Sequence, residues 1–193
     1  MSKCLSKEAI EQFRNEGYFF PVALLSEVEV YEIRRHLETF EAEQGHPLEG
    51  GQRSHAHLLF PWLYSLVSHH KILDVVEDLV GPNILCWGSI FWTKEAHSAS
   101  FVSWHQDITY WGLTNGDVVN VWVALSPSNE TSGCMSVREV SHKAIKCGVY
   151  AVRTLKQSLP LWACACVPLP HYQTVIAQKV CCCLIPPCSL IRS

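Results

Sequence analysis

Three features of the chain predict an α+β fold. Amphipathic helical stretches occupy the part before residue 82, strand-like alternation replaces them afterwards, and turn clusters separate the later apolar runs. The first helix is expected at Lys7–Glu16, because Ser6 is a good N-cap and Gly17 a good stop. The second opens on a capping box, Ser26-x-x-Glu29, which satisfies two orphan N–H groups at once. Val30, Ile33, Leu37 and Phe40 then recur at steps of three and four, and Gly45 closes the helix. The spacing of Leu66, Leu73, Val76 and Val80 predicts a third helix over 63–80, ended by Gly81-Pro82.

Beyond Pro82 the expected elements are strands. NILCWGSIFW is rich in apolar and aromatic residues, and VSWHQD reads as a second, short strand or strand end. VVNVWVAL, residues 118–125, sets Val119, Val121, Val123 and Leu125 on one face and Asn120 and Trp122 on the other. LTNGD holds a turn, SPSNETSG is loop, and no internal repeat is visible.

The 193 residues suffice for one domain with a sizeable core, and 48% hydrophobic with 17% charged residues is ordinary for a globular protein. A net charge of −3 provides no basic field for nucleic acid or an anionic membrane. No apolar h-region precedes residue 14 and no apolar run is long enough for a bilayer, so a soluble cytoplasmic protein is expected. The composition has a seam. Residues 1–143 hold 10 Lys and Arg against 18 Asp and Glu, whereas 144–193 hold five Lys and Arg and no acid. Seven of the ten cysteines also lie in that tail. Without a secretory signal they do not read as a disulfide framework, and their spacing is not that of a structural zinc site.

The chemistry-bearing stretch is FVSWHQDITYWGL, residues 101–113. His105 and Asp107 stand two apart, so on extended backbone they share a face. Imidazole with carboxylate suits a divalent first-row metal such as Fe(II), and the pair needs at least one more ligand. The same spacing also fits two polar side chains on the wet side of a sheet, although the flanking Trp104, Tyr110 and Trp111 argue for a pocket wall. Other histidines have plainer readings. His36, His46 and His97 read as surface or loop, His69 and His70 as solvated positions on the third helix, and His55-x-His57 as pocket lining before a metal pair. Lys94 reads as solvated. No nucleophile elbow, P-loop or dinucleotide fingerprint is present.

HLLFPWLYSLVSHHKILDVVEDLVGPNILCWGSIFWTKE, then VSWHQDITYWGL and VVNVWVALSPSNETSGCM, resemble the phytanoyl-CoA dioxygenase family over roughly residues 6–143. The resemblance implies a double-stranded β-helix (jelly-roll) core with N-terminal helices, Fe(II) as metal and 2-oxoglutarate as cosubstrate. It implies His105 and Asp107 as metal ligands and Gln106 and Trp122 as cofactor-binding residues beside 2-oxoglutarate. The loop ending in His142 resembles the segment N-G-C-L-x-V-x-P-G-S-H-K, whose histidine does not bind iron. Because Asp107 is present, hydroxylation is the outcome the resemblance implies. Substrates in the family are small organic molecules or acyl thioesters.

The family pattern continues to a distal H-G-S, which supplies the third iron ligand, and then to an arginine that pairs with the 2-oxoglutarate carboxylate. Neither motif follows Lys143. His171 is the one downstream histidine, and Arg153 and Arg192 the only arginines there; none has the expected context. The jelly roll is therefore expected to be incomplete at its C-terminus, with 1–143 as the family-like region and 144–193 as an atypical tail. Two functions remain open at this stage: an iron-dependent oxygenase, or a non-catalytic relative that binds a ligand or partner chain. A hydrolase using another metal at the same pair is a weaker third.

Overall fold

Helix α1 (Lys7–Glu16) begins where the Ser6 hydroxyl accepts from the Ala9 N–H and ends where Gly17 turns left-handed at φ +84°. The computed structural model describes residues 2–99, 101–111 and 118–143, together with the strand backbones at 150–151, 162–163, 173–174, 182–185 and 191–192. Strand β1 (Phe19–Val22) follows, with Val22 buried in the core. Helix α2 (Glu27–Gln44) carries the capping box in full: the Ser26 hydroxyl accepts from the Glu29 N–H, and Glu29 accepts from the Ser26 N–H at 2.6 Å.

The single third helix expected over 63–80 is two helices, α3 (Pro61–Val67) and α4 (His70–Val80). Ser68 donates its hydroxyl back to the Tyr64 carbonyl at 2.7 Å, a local bond that competes with helix continuation, and His69 takes extended backbone. His69 is therefore a half-buried N-cap bonded to Glu29 at 3.3 Å rather than a solvated helix residue. Val30 and Leu37 of α2, Leu63 and Leu66 of α3, and Ile72, Val75 and Val76 of α4 close one core with Ala9 and Phe13 of α1. Burying each large side chain contributes about 1.5–3 kcal/mol. The N-terminus is tied to this core by Asp78, which accepts from the N–H groups of Lys3, Cys4 and Leu5 at 2.6, 2.8 and 2.8 Å.

NILCWGSIFW does not form the expected strand. Its pairing is a single antiparallel bridge between Ser54 and Ile90, flanked by His55 N–H donating to Ser89 O at 2.7 Å and Phe91 N–H to Arg53 O at 3.0 Å. Leu85, Trp87, Ile90 and Trp92 stay exposed. VSWHQD likewise lies outside the strands and leads into a four-residue helix, α5 (Ile108–Trp111). VVNVWVAL does supply strand β2 (Asn120–Val123), with Val119, Val121, Val123 and Leu125 packed on the helical core.

Strands β3 (Ser136–Val137), β4 (Tyr150–Ala151), β5 (Trp162–Ala163), β6 (Gln173–Thr174), β7 (Cys182–Ile185) and β8 (Ile191–Arg192) complete the described sheets. β7 lies between β1 and β2, antiparallel to both, with Asn120 opposite Ile185 and Val123 opposite Cys182. β3 lies between β6 and β8, and β4 pairs with β5. The acid-free tail thus supplies the central strand of the sheet that carries β1 and β2. No helix among the described residues is long and apolar enough to cross a membrane.

The segment 138–143 docks on the end of α1. Val140 N–H donates to Glu16 O at 2.7 Å, and His142 Nε2 donates to Arg14 O at 2.9 Å, which satisfies carbonyls that the helix terminus leaves open. The His142 ring lies where any side chain at Gly17 would project, so glycine is required there for space as well as for its positive φ. Tyr18 donates to Glu139 at 3.2 Å; burial and the Glu139 and Glu16 carboxylates raise its phenol well above the ordinary value.

Candidate metal centre

Burial alternates along the segment after Trp104. Gln106 and Ile108 are buried, while His105 and Asp107 are half-buried and turned to a common side. Period-two geometry therefore survives outside the named strands, with a bridge at His105. The two side chains converge, with His105 Nε2 3.2 Å from Asp107 Oδ1.

Each is oriented by a further bond. Ser103 O, which can only accept, receives the Nδ1–H of His105 at 2.8 Å; this fixes the tautomer and aims Nε2 at Asp107. Asn120 donates its side-chain amide to Asp107 Oδ2 at 2.6 Å. Burial works against charge on His105, yet the hydrogen bond to Asp107, that to Ser103 O and the Coulomb attraction of Asp107 outweigh it and raise the imidazole above its ordinary value. When the imidazole is protonated its Nε2–H donates to Asp107 Oδ1, and a divalent cation would take the place of that proton.

Among the expected cofactor-binding residues, Gln106 is buried at 4% exposure. Trp122 is half-buried on the Asn120 face of β2 and packs against Tyr18, Met135 and Val137. His171 and Arg153 lie outside the described residues. Among the described residues no third His, Cys, Asp or Glu joins His105 and Asp107. His57 is buried with Nδ1 2.8 Å from the Ser89 hydroxyl, and Lys94 is exposed, as expected, while donating to Gly133 O at 2.7 Å. Sequence reasoning missed Asn120: its alternation with Val119 and Val121 placed it away from the core, but nothing in the pattern tied it to Asp107.

The family model "Phytanoyl-CoA dioxygenase (PhyH)" matches residues 2–154. The chain belongs to the phytanoyl-CoA dioxygenase family. The match runs past the composition seam at residue 143. A probable alpha-ketoglutarate-dependent hypophosphite dioxygenase of Stutzerimonas stutzeri is 34% identical over 87 residues, a stretch covering 45% of this chain and only 30% of that protein. In fold the chain is similar to the non-heme alpha ketoglutarate dependent carbocyclase SnoK from nogalamycin biosynthesis, with TM-score 0.77, 24% identity and coverage of 97% of this chain and 77% of that one. It is also similar to EctD from S. alaskensis, solved with 2-oxoglutarate and 5-hydroxyectoine, with TM-score 0.75, 16% identity and coverage of 97% and 69%.

The family implies iron, and the donor set can be tested against it. Two donors each about 2.1 Å from one first-row ion and at right angles to each other lie about 3 Å apart. The 3.2 Å between Nε2 and Oδ1 suits that arrangement, and the Ser103 and Asn120 bonds are the kind that orient a ligating histidine and carboxylate. His105 and Asp107 fit as two ligands of such an ion.

Proposed function

We propose that the chain is an Fe(II)- and 2-oxoglutarate-dependent oxygenase that hydroxylates an aliphatic C–H of a small organic or acyl substrate. The observation that carries this reading is the convergence of His105 Nε2 and Asp107 Oδ1 at 3.2 Å, each held by its own second bond. Iron with 2-oxoglutarate, when bound, supplies the oxidising chemistry that cleaves the C–H bond. The chain's residues supply position. Ser103 O holds the His105 ring, Asn120 holds the Asp107 carboxylate, and Gln106 and Trp122 border the cosubstrate. Residues 1–143 form the catalytic region on a jelly-roll core, and 144–193 are a cysteine-rich extension of it.

The test is 2-oxoglutarate turnover with Fe(II). Succinate release above an iron-free control, abolished in Asp107→Ala, supports the reading. A second reading, a non-catalytic ligand-binding relative, draws on the lack of a third His, Cys, Asp or Glu beside the pair among the described residues. Intact Fe(II) binding with no succinate at any substrate tried would favour it.

A further inference from the structure

Asp107 lies in a turn before α5, outside any ladder, so its own backbone does little to fix its carboxylate. Asn120 is placed differently. Its strand is paired to β7, and its neighbours Val119 and Val121 are packed on the helical core. A carboxylate accepts only, so the contact to Oδ2 at 2.6 Å is a short bond from an amide donor to an anion. With Oδ2 engaged, Oδ1 is the oxygen left facing His105 Nε2.

We propose that Asn120 is a positioning residue that makes Asp107 a one-oxygen metal ligand. The inference rests on the metal reading of His105 and Asp107. Chelation through both oxygens would draw Oδ2 off Asn120 and take up a further coordination position. Held to one oxygen, the carboxylate leaves that one position open to a donor from outside the chain.

Asn120→Leu, with the same branching at Cγ and no donor, and Asn120→Ala are compared with wild type and with His105→Ala and Asp107→Ala. Anaerobic Co(II) titration of the full chain gives affinity, and the visible Co(II) bands report coordination number and ligand mode. The bands come only from protein that has bound metal, so they stay readable in a variant of lowered stability. The expected result is a roughly 10–100-fold loss of Co(II) affinity in both Asn120 variants, the size typical of outer-shell changes, with altered Co(II) bands. Wild-type affinity and bands in both, while His105→Ala loses binding, would overturn the Asn120 inference and leave the metal reading standing. Wild-type Co(II) binding in His105→Ala and Asp107→Ala would overturn both.

Discussion

The helical half of the protein and the segment 101–143 are built on different physics. In the first, a continuous apolar core from Leu5 to Phe91 takes in four helices, of which α1 and α2 carry side-chain N-caps. In the second, buried apolar residues are few, and position is set by individual hydrogen bonds: Ser103 to His105, Asn120 to Asp107, Tyr18 to Glu139, Arg14 to His142. Stability is thus concentrated in one region and chemistry in the other. β2 joins them, with valines on the core and Asn120 facing Asp107.

The sharpest way to break this division is to remove a candidate ligand. His105→Ala should abolish measurable Co(II) binding, a loss beyond the roughly 10–100-fold of an outer-shell change. Thermal unfolding should move little, because the His105 ring is only half-buried. A large drop in melting temperature would show that the site is part of the core after all.

Leu63→Ala makes the converse cut. Leu63 is 5% exposed in the α2–α3–α4 core, and its truncation should cost about 3 kcal/mol in urea unfolding. Co(II) affinity per folded molecule should be unchanged. Weakened binding in the folded fraction would couple the two regions.

A smaller effect belongs to the α2 cap. Ser26→Ala should cost about 1 kcal/mol. The same cap predicts an acid response: Ser26's backbone N–H and then its hydroxyl, both bonded to Glu29, depress that carboxylate from 4.5 to about 2. A depressed carboxylate stabilises the fold fully above its unfolded value, and that contribution fades as pH falls through 4.5 towards 2. The gap between the wild-type and Ser26→Ala unfolding curves should narrow across this window without closing, since the Glu29 N–H to hydroxyl bond persists in acid; a gap that stays constant would show that the hydroxyl contributes nothing to the carboxylate shift.

The smallest expected change is a gain. Val140 is exposed and holds φ +60°, a left-handed conformation that a β-branched residue adopts at a cost, where the family segment has glycine. Relief of about 1–2 kcal/mol of backbone strain, offset by about 0.5–1 kcal/mol for the flexibility of glycine, leaves Val140→Gly more stable by a fraction of a kcal/mol to about 1 kcal/mol. A destabilised Val140→Gly protein would mean that the docking of 138–143 on α1 depends on the valine side chain.

Much of the helical half was legible in the sequence. α1, with Ser6 before it and Gly17 after it, matches its expected bounds, as do the capping box and the Gly45 stop of α2. The break at Ser68-His69 was not visible, since Leu66, Leu73, Val76 and Val80 keep a helical period across it. The strands were harder. NILCWGSIFW has the composition of a strand but, among the described residues, pairs through one bridge, Ser54–Ile90, made by its bonds to Arg53 and His55.

The sequence by itself determined the features whose partners lie within a turn or two: the caps, the helix stops, the face of β2 that meets the core, and the pairing of His105 with Asp107. Tertiary structure decided the rest. It brought Asn120 to Asp107 across 13 residues, placed β7 from the tail between β1 and β2, and laid His142 on a helix end 128 residues earlier. A cap is satisfied by groups that the local backbone already holds close together. A ladder or a long-range side-chain bond must first overcome the entropy of closing a loop, so its partner is chosen by the packing of the whole chain and leaves no mark in the local pattern.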